Sequence, residues 1–184
     1  MRREDGSNLL RFDVWESSMG WIAAAATDAG LTRMSLPEPN RDDAEDKIFP
    51  AQLEGVHDPD WFSPIADLVD RYLHGEPVDL NVIPIDFSDA PPFFAAAWEA
   101  CRRIPAGETR SYSWLAAEAG RPGAPRAAGQ AMARNRLPLF IPCHRVVRAD
   151  GSLGGFGGGV GLPLKQRLLA MECAAIGGSG LGGA

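Results

Sequence analysis

The apolar segment Leu137-Pro138-Leu139-Phe140-Ile141 runs directly into Pro142-Cys143-His144-Arg145-Val146. Any fold of this chain must therefore place a thiol, an imidazole and a guanidinium side by side at the end of an apolar stretch. The whole sequence holds only three cysteines and three histidines. A thiolate is the strongest nucleophile among the side chains, and a positive or proton-accepting neighbour lowers its pKa from a free value of about 8.5. A Cys-His dipeptide alone says little, because adjacent side chains on a strand point to opposite faces. A free cysteine is most often a small buried hydrophobe. Cys101, on the apolar stripe of a helical segment, and Cys173, near the end of another, fit that description. Cys143 differs, since proline precedes it and two basic-type side chains follow it.

The 184 residues suffice for one domain or two small ones, and 45% apolar residues are enough for a packed core. No run of 18 apolar residues occurs, and the start, Met1-Arg2-Arg3-Glu4-Asp5, is charged rather than signal-like. Three widely spaced cysteines indicate neither a disulfide framework nor a zinc knuckle, which fits the reducing cytoplasm. Residues 1–90 contain no cysteine and only His57 and His74, so no metal is expected there. The net charge of −6 is unevenly divided. Residues 1–90 carry 7 Lys+Arg against 19 Asp+Glu, a net −12; residues 91–184 carry 11 against 5, a net +6. A basic half joined to an acidic half is a sign of polyanion binding by the basic one.

The first half reads as a small antiparallel sheet plus a helix. Leu9 to Trp15, Gly20 to Thr27 and Leu31 to Leu36 are strand candidates, with Ser17-Ser18-Met19-Gly20 turning between the first two. Pro37 to Asp46 reads as a polar loop. Asp60 can cap a helix to about His74 with Phe62, Ile65, Leu68, Val69 and Leu73 on one face. Val78 to Phe87 reads as an extended connector. The second half is mostly helical. Pro91-Pro92 opens a helix, Ser111 or Ser113 caps a short one ending at Gly120, and a third runs from Ala124-Pro125 to about Asn135. The last two, joined across Arg121-Pro122-Gly123, make a helix-turn-helix candidate. A final helix spans about Pro163 to Ala174, and the glycine-rich tail 177–184 is expected to be disordered. The domains expected are an acidic 1–90 and a basic 91–176 that holds Cys143.

Around the cysteine the motifs fall in a definite order: Ile104-Pro105-Ala106-Gly107-Glu108-Thr109-Arg110-Ser111-Tyr112-Ser113-Trp114-Leu115-Ala116, then Arg126-Ala127-Ala128-Gly129-Gln130-Ala131-Met132-Ala133-Arg134-Asn135, then the Pro-Cys-His-Arg-Val run. The glycine-rich residues 151–159 and Lys165-Gln166-Arg167-Leu168-Leu169-Ala170-Met171-Glu172 follow. From about Phe93 to Glu172 this resembles the O6-alkylguanine-DNA alkyltransferases, which move an alkyl group from a damaged guanine onto their own cysteine. Before Phe93 the likeness is one of size and pattern. The resemblance implies an α/β (α+β) chain with a small ribonuclease-H-like N-terminal domain and a helical, winged-helix-like C-terminal domain.

It also implies roles. Cys143 is the alkyl acceptor; His144 takes its proton through a bridging water, and Glu172 orients and stabilises the imidazole, a nucleophile-base-orienter arrangement. Arg145 pairs structurally with a carboxylate or the backbone. The target carbon lies inside a duplex, so the nucleotide must be flipped out. Arg126 fills the gap from the minor groove, Tyr112 holds the flipped nucleotide and helps protonate the leaving guanine, and Asn135 ties the recognition helix to the active-site strand. The main chain of Cys143 and Val146 reads the guanine edge, and the loop with Phe156 and Gly157 faces the guanine oxygen. That loop follows no Rossmann pattern and lacks a P-loop lysine, which argues against a nucleotide cradle. The implied partner is double-stranded DNA bearing O6-alkylguanine (and O4-alkylthymine), bound by a monomer with no cofactor, in an irreversible single turnover. Three features depart from the family: Phe156 replaces a usual tyrosine with no serine or threonine beside it, the loop is about two residues longer, and Arg136 follows Asn135 where proline is common.

Two other classes compete with this reading. Alkyltransferase-like damage sensors resemble the chain but commonly have tryptophan in place of the cysteine, so Cys143 argues against them. A thiol hydrolase using Cys143 and His144 needs an acyl pocket for which the sequence has no signature. The charge division carries its own test. With the +6 half on the phosphate backbone, duplex affinity should fall steeply with salt and hardly vary with sequence. Salt titrations on unrelated duplexes measure this, and a flat log-affinity against log-salt plot refutes it.

Overall fold

Strands β1 (Leu10–Ser17) and β2 (Gly20–Thr27) pair antiparallel in a hairpin with Ser17 opposite Gly20, and the Ser17 hydroxyl donates to the Gly20 carbonyl at 2.6 Å. Two faces of β2 are buried. Ala23 and Ala25 join Val14 of β1, with Phe12 and Trp21 packed alongside, while Ile22, Ala24 and Ala26 are buried on the alternate face. Strand β3 (Gly30–Met34) extends the sheet beyond β2, and β4 (Gly55–His57) runs parallel to β1 on the other side, giving the order β3-β2-β1-β4. The computed structural model describes residues 10–49, 55–156 and 161–175; the tail expected to be disordered lies outside them.

The sequence reading is corrected at both helices of this half, it lacks β4, and the connector it read as extended holds a 3-10 turn at Leu80–Val82. The stretch read as a loop contains a helix, α1 (Arg41–Ile48), whose cap Asn40 accepts from the Asp43 N–H at 2.9 Å. Its only buried side chains are Ala44 and Ile48, one i,i+4 pair laid on the Val14–Ala23–Ala25 face, so the periodic signal is too thin to read. Helix α2 (Pro59–Leu73) is capped by Asp58 rather than Asp60, with Pro59 in its first turn. It buries Phe62, Ile65, Val69, Tyr72 and Leu73, while Leu68 stays half-buried. The expected connector is extended around Ile85 and closes on β3: Leu31 N–H donates to Pro84 O at 3.0 Å and Asp86 N–H to Leu31 O at 2.9 Å.

In the second half, α3 (Pro92–Arg102), α4 (Tyr112–Glu118) and α5 (Pro125–Ala133) pack together, and the Trp98 indole donates to Ala131 O at 2.9 Å. Ser111, not Ser113, caps α4 through the Trp114 N–H at 3.1 Å. Gly120, at φ +80°, ends it, a left-handed residue that glycine adopts freely. Strands β5 (Arg110–Ser111) and β6 (Val146–Val147) form a two-residue parallel pair, and α6 (Gly161–Ala175) closes the chain. Two compact units result. Gly75–Pro77 go with the second, and Arg136–Pro138 with the first. Arg136 is held there by its two bonds to Asp89, at 2.7 and 2.6 Å, and by the Met34 N–H on its carbonyl. Among the described residues no helix is long and apolar enough to cross a membrane.

Gly30 tests the closure on β3. Its φ is +143°, and a Cβ there would stand 2.5 Å from Pro84 O. Gly30→Ala should cost about 2 kcal/mol, a drop of about 4–8 °C in Tm by thermal unfolding. A melt unchanged within error would show that the sheet edge tolerates the displacement.

Candidate active site

Cys143, His144 and Arg145 form a single 3-10 turn between the buried run Leu139-Phe140-Ile141 and β6. Arg145 N–H donates to Pro142 O at 2.8 Å, and Val146 N–H closes on Cys143 O. Leu139 enters it at φ +72°, a conformation rare for a side chain of its size and held by the buried run around it. With three residues per turn, successive side chains point about 120° apart. Thiol, imidazole and guanidinium thus radiate in different directions, which a strand would not allow. Cys143 is half-buried, whereas His144 and Arg145 are buried.

Glu172 of α6 gathers this turn. Its carboxylate, 2% exposed, lies 2.8 Å from His144 Nε2 and accepts from Arg145 Nε and Nη2, the latter at 2.7 Å. Gly107 N–H donates to its second oxygen at 3.1 Å, and Arg145 Nη1 donates to Ile104 O at 2.5 Å. Burial opposes the Glu172 charge, but the bonds from His144 and Arg145 prevail and hold the carboxyl far below its ordinary range. Burial pushes the His144 imidazole down, with Glu172 acting against it, so the ring is neutral at pH 7. Nε2–H then donates to Glu172 and Nδ1 is the acceptor nitrogen.

The thiol has its own surroundings. Asn135 Nδ2 donates to Ile141 O at 2.9 Å and lies 3.0 Å from Cys143 Sγ. Burial pushes the thiol pKa up, and the Asn135 bond and Lys165 pull it down. Desolvation outweighs them, so the net direction is upward from an ordinary thiol. Cys101 is fully buried with its pKa pushed well up, as befits a core residue, and Cys173 is half-buried.

Tyr112 opens α4 and is half-buried, its pKa raised mainly by desolvation. Two glycines fit against it: a Cβ on Gly154 would lie 2.6 Å from the phenol oxygen, and one on Gly129 of α5 would lie 3.9 Å from the ring. Phe156 is buried, its ring edge-on to His144 with centroids 6.3 Å apart. Gly157 lies outside the described residues. Arg126 is exposed in the first turn of α5. Val146 O accepts from Lys165 Nζ at 2.7 Å. The structure thus gathers Cys143, His144, Glu172 and Asn135 by direct contact, sets Phe156 against His144, and leaves Arg126 on the surface. Lys165 and Gly154 were not anticipated. A lysine two helical turns from Glu172 on one face is the signal that could have marked the first.

Residues 10–87 match the 6-O-methylguanine DNA methyltransferase ribonuclease-like domain, and residues 92–174 match the DNA binding domain of the same name. A methylated-DNA–protein-cysteine methyltransferase of Mycolicibacterium paratuberculosis is 33% identical over 164 residues, 89% of this chain and 93% of that one. One from Methanothermobacter thermautotrophicus is 41% identical over 133 residues, 68% of this chain and 73% of that one. The crystal structure of Mycobacterium tuberculosis OGT in complex with DNA superposes with a TM-score of 0.73 at 31% identity, covering 90% of this chain and 94% of that one. With both halves matched and the thiol-imidazole-carboxylate cluster in place, this chain belongs to the methylated-DNA–protein-cysteine methyltransferase family.

Proposed function

We propose that this protein repairs DNA by direct reversal, transferring the alkyl group of O6-alkylguanine, and of O4-alkylthymine, irreversibly to Cys143. The observation that carries the reading is the half-buried thiol beside Asn135 Nδ2, on one turn with an imidazole hydrogen-bonded to a buried carboxylate. His144, neutral and with Nδ1 as acceptor, takes the thiol proton through a water. Glu172 stabilises the resulting imidazolium. The sulfur electron pair forms the S–C bond in line as the C–O6 bond breaks onto guanine. The base regains one proton, which balances the one the thiol lost, and Tyr112 assists that return. The thioether has no leaving route, so each protein acts once.

The alkylated base reaches this thiol flipped out of a duplex held by the second helix of the helix-turn-helix in the minor groove. Arg126, exposed in the first turn of α5, fills the gap it leaves. Ala124, Ala127 and Gly129, partly exposed around it, keep that end of the helix small for close approach to the backbone, while Ala128 is buried. The main-chain groups of Cys143 and Val146 read the guanine edge, and the loop with Phe156 and Gly157 faces the guanine oxygen. The protein works as a monomer in the cytoplasm, without a cofactor, through an N-terminal domain of residues 1–90 and a catalytic domain of residues 91–176.

Incubation with duplex DNA holding O6-methylguanine should add one methyl to the Cys143 peptide, once per protein, by intact and peptide mass. Cys143→Ala should abolish transfer and keep most of the binding. Several turnovers, or a methyl on Cys101 or Cys173, would overturn the assignment.

Arg126→Ala should slow transfer from duplex DNA by about 10-fold or more, the cost of unstacking no longer compensated, and leave transfer from free O6-benzylguanine near wild type. Equal losses on both substrates would mean that Arg126 serves the fold rather than the flip.

A further inference from the structure

The arginines of the second unit are held in two different ways. Residues 91–184 carry five side-chain carboxylates, and each is engaged. Glu99 lies 4.0 Å from Arg102, Glu118 accepts from Arg103 at 3.0 Å, and Glu108 accepts from Arg110. Glu172 holds Arg145, and Asp150 accepts from Ser152. Arg121 and Arg134 have no carboxylate among the described residues. Both are exposed, and each lies over an aromatic ring at the start of α3. Arg121 Cζ is 4.9 Å from the Phe93 centroid, and Arg134 Cζ is 5.5 Å from that of Phe94. Arg110 also lies on a ring, that of Trp114, but Glu108 already takes its donors.

The difference decides what the guanidinium can still bind. A carboxylate occupies the planar fork of N–H donors, whereas a ring occupies the π face and leaves the in-plane fork open for an oxyanion. A ring also orders a side chain that would otherwise lose much rotamer freedom on binding. Phe94 is itself fixed: its ring lies 6.0 Å from that of buried Trp98, whose indole donates to Ala131 O of α5 at 2.9 Å. The two arginines bracket the second helix of the helix-turn-helix. Arg121 lies in the turn that leads into α5, and Arg134 caps its end. Arg126 and Arg134 are eight residues apart, a spacing that shares a helix face. At 1.5 Å per residue they stand about 12 Å apart along the axis. A duplex strand carries a charge every ~3.4 Å, so that distance spans several phosphates.

We propose that Arg121 and Arg134 are two contacts to backbone phosphates of the bound duplex, one before and one beyond Arg126 along α5. Phe93 and Phe94 are the positioning residues that hold these guanidinium groups ready. The proposal rests on the chain binding duplex DNA.

Binding of the full chain to an unmodified duplex, followed by fluorescence anisotropy across a salt series, separates the two roles. Losing one phosphate contact flattens the plot of log affinity against log salt by about 0.9, which is about 8-fold in affinity over a decade of salt. Arg121→Gln and Arg134→Gln should each flatten the slope by that amount and bind about 5- to 10-fold more weakly at about 0.1 M salt, on every duplex sequence. Phe93→Leu and Phe94→Leu keep the cations, so their slopes should match wild type while affinity falls about 2- to 4-fold. Phe93→Tyr and Phe94→Tyr keep the rings and should bind as wild type does. Combined with the variant of its own arginine, each Leu variant should cost nothing further. An unchanged slope in either Gln variant would overturn the phosphate contacts, and additive losses in the combined variants would overturn the positioning role. Should a Leu variant not fold, Met takes its place with the same expectation. A wild-type affinity that does not fall with salt would refute the duplex-binding reading instead.

Discussion

The carboxylate of Glu172 is the interaction on which the Cys143-His144-Arg145 turn depends. One buried side chain of α6 ties the His144 imidazole, the Arg145 guanidinium and the Gly107 N–H of the turn after α3. A buried charge is stable only when its oxygens are well occupied, and here three residues donate to the pair of oxygens. Removing Arg145 leaves the carboxylate without its counter-charge, and removing His144 or the Gly107 N–H leaves an oxygen less well satisfied. The same network therefore fixes the 3-10 turn, sets the imidazole tautomer and docks α6. Fold and chemistry share one electrostatic centre, and neither can be altered alone.

This centre also decides the state in which the protein waits. Burial acts on Cys143 and His144 in opposite senses of proton affinity, raising the thiol and lowering the imidazole, and both are thereby kept neutral. The resting pair is a thiol and an imidazole rather than an ion pair. Glu172 narrows the gap by favouring the imidazolium, while Asn135 and Lys165 favour the thiolate. The thiol is less readily oxidised than the thiolate, so this balance protects the sulfur.

The sequence made much of this legible, for identifiable reasons. Gly20–Thr27 was legible as a strand to the residue, because a run of small apolar residues lies between turn formers. The helices around Tyr112 and Pro125 were legible from Ser111, Gly120 and Pro125, residues that cap, stop and start helices locally. Helix α1 was not, since two buried residues in eight leave almost no periodicity. Strand β4 was not, since three residues that pair in parallel with β1 depend on a distant partner. In the site, Cys143 stood out by its neighbours, and His144 and Glu172 through the family resemblance that their motifs carry. Lys165 and Gly154 did not. A lysine normally reads as solvated and a glycine as loop, and only tertiary packing shows one buried against Val146 and the other against Tyr112.

The departures from the family pattern follow the same logic of what surrounds each residue. Phe156 needs no hydrogen-bond partner, and its buried ring meets the imidazole edge-on, which keeps the neutral His144 in an apolar setting. A tyrosine there would bring a hydroxyl that must be satisfied. Arg136, in place of proline, keeps its guanidinium on Asp89 and offers its carbonyl to Met34, so this position is held by polar contacts where a proline ring would hold it by restricting φ. Neither substitution touches the Cys143–Asn135 or His144–Glu172 contacts. The chemistry tolerates both because it is anchored from Glu172 outward, through side chains and backbone groups that these two positions do not supply.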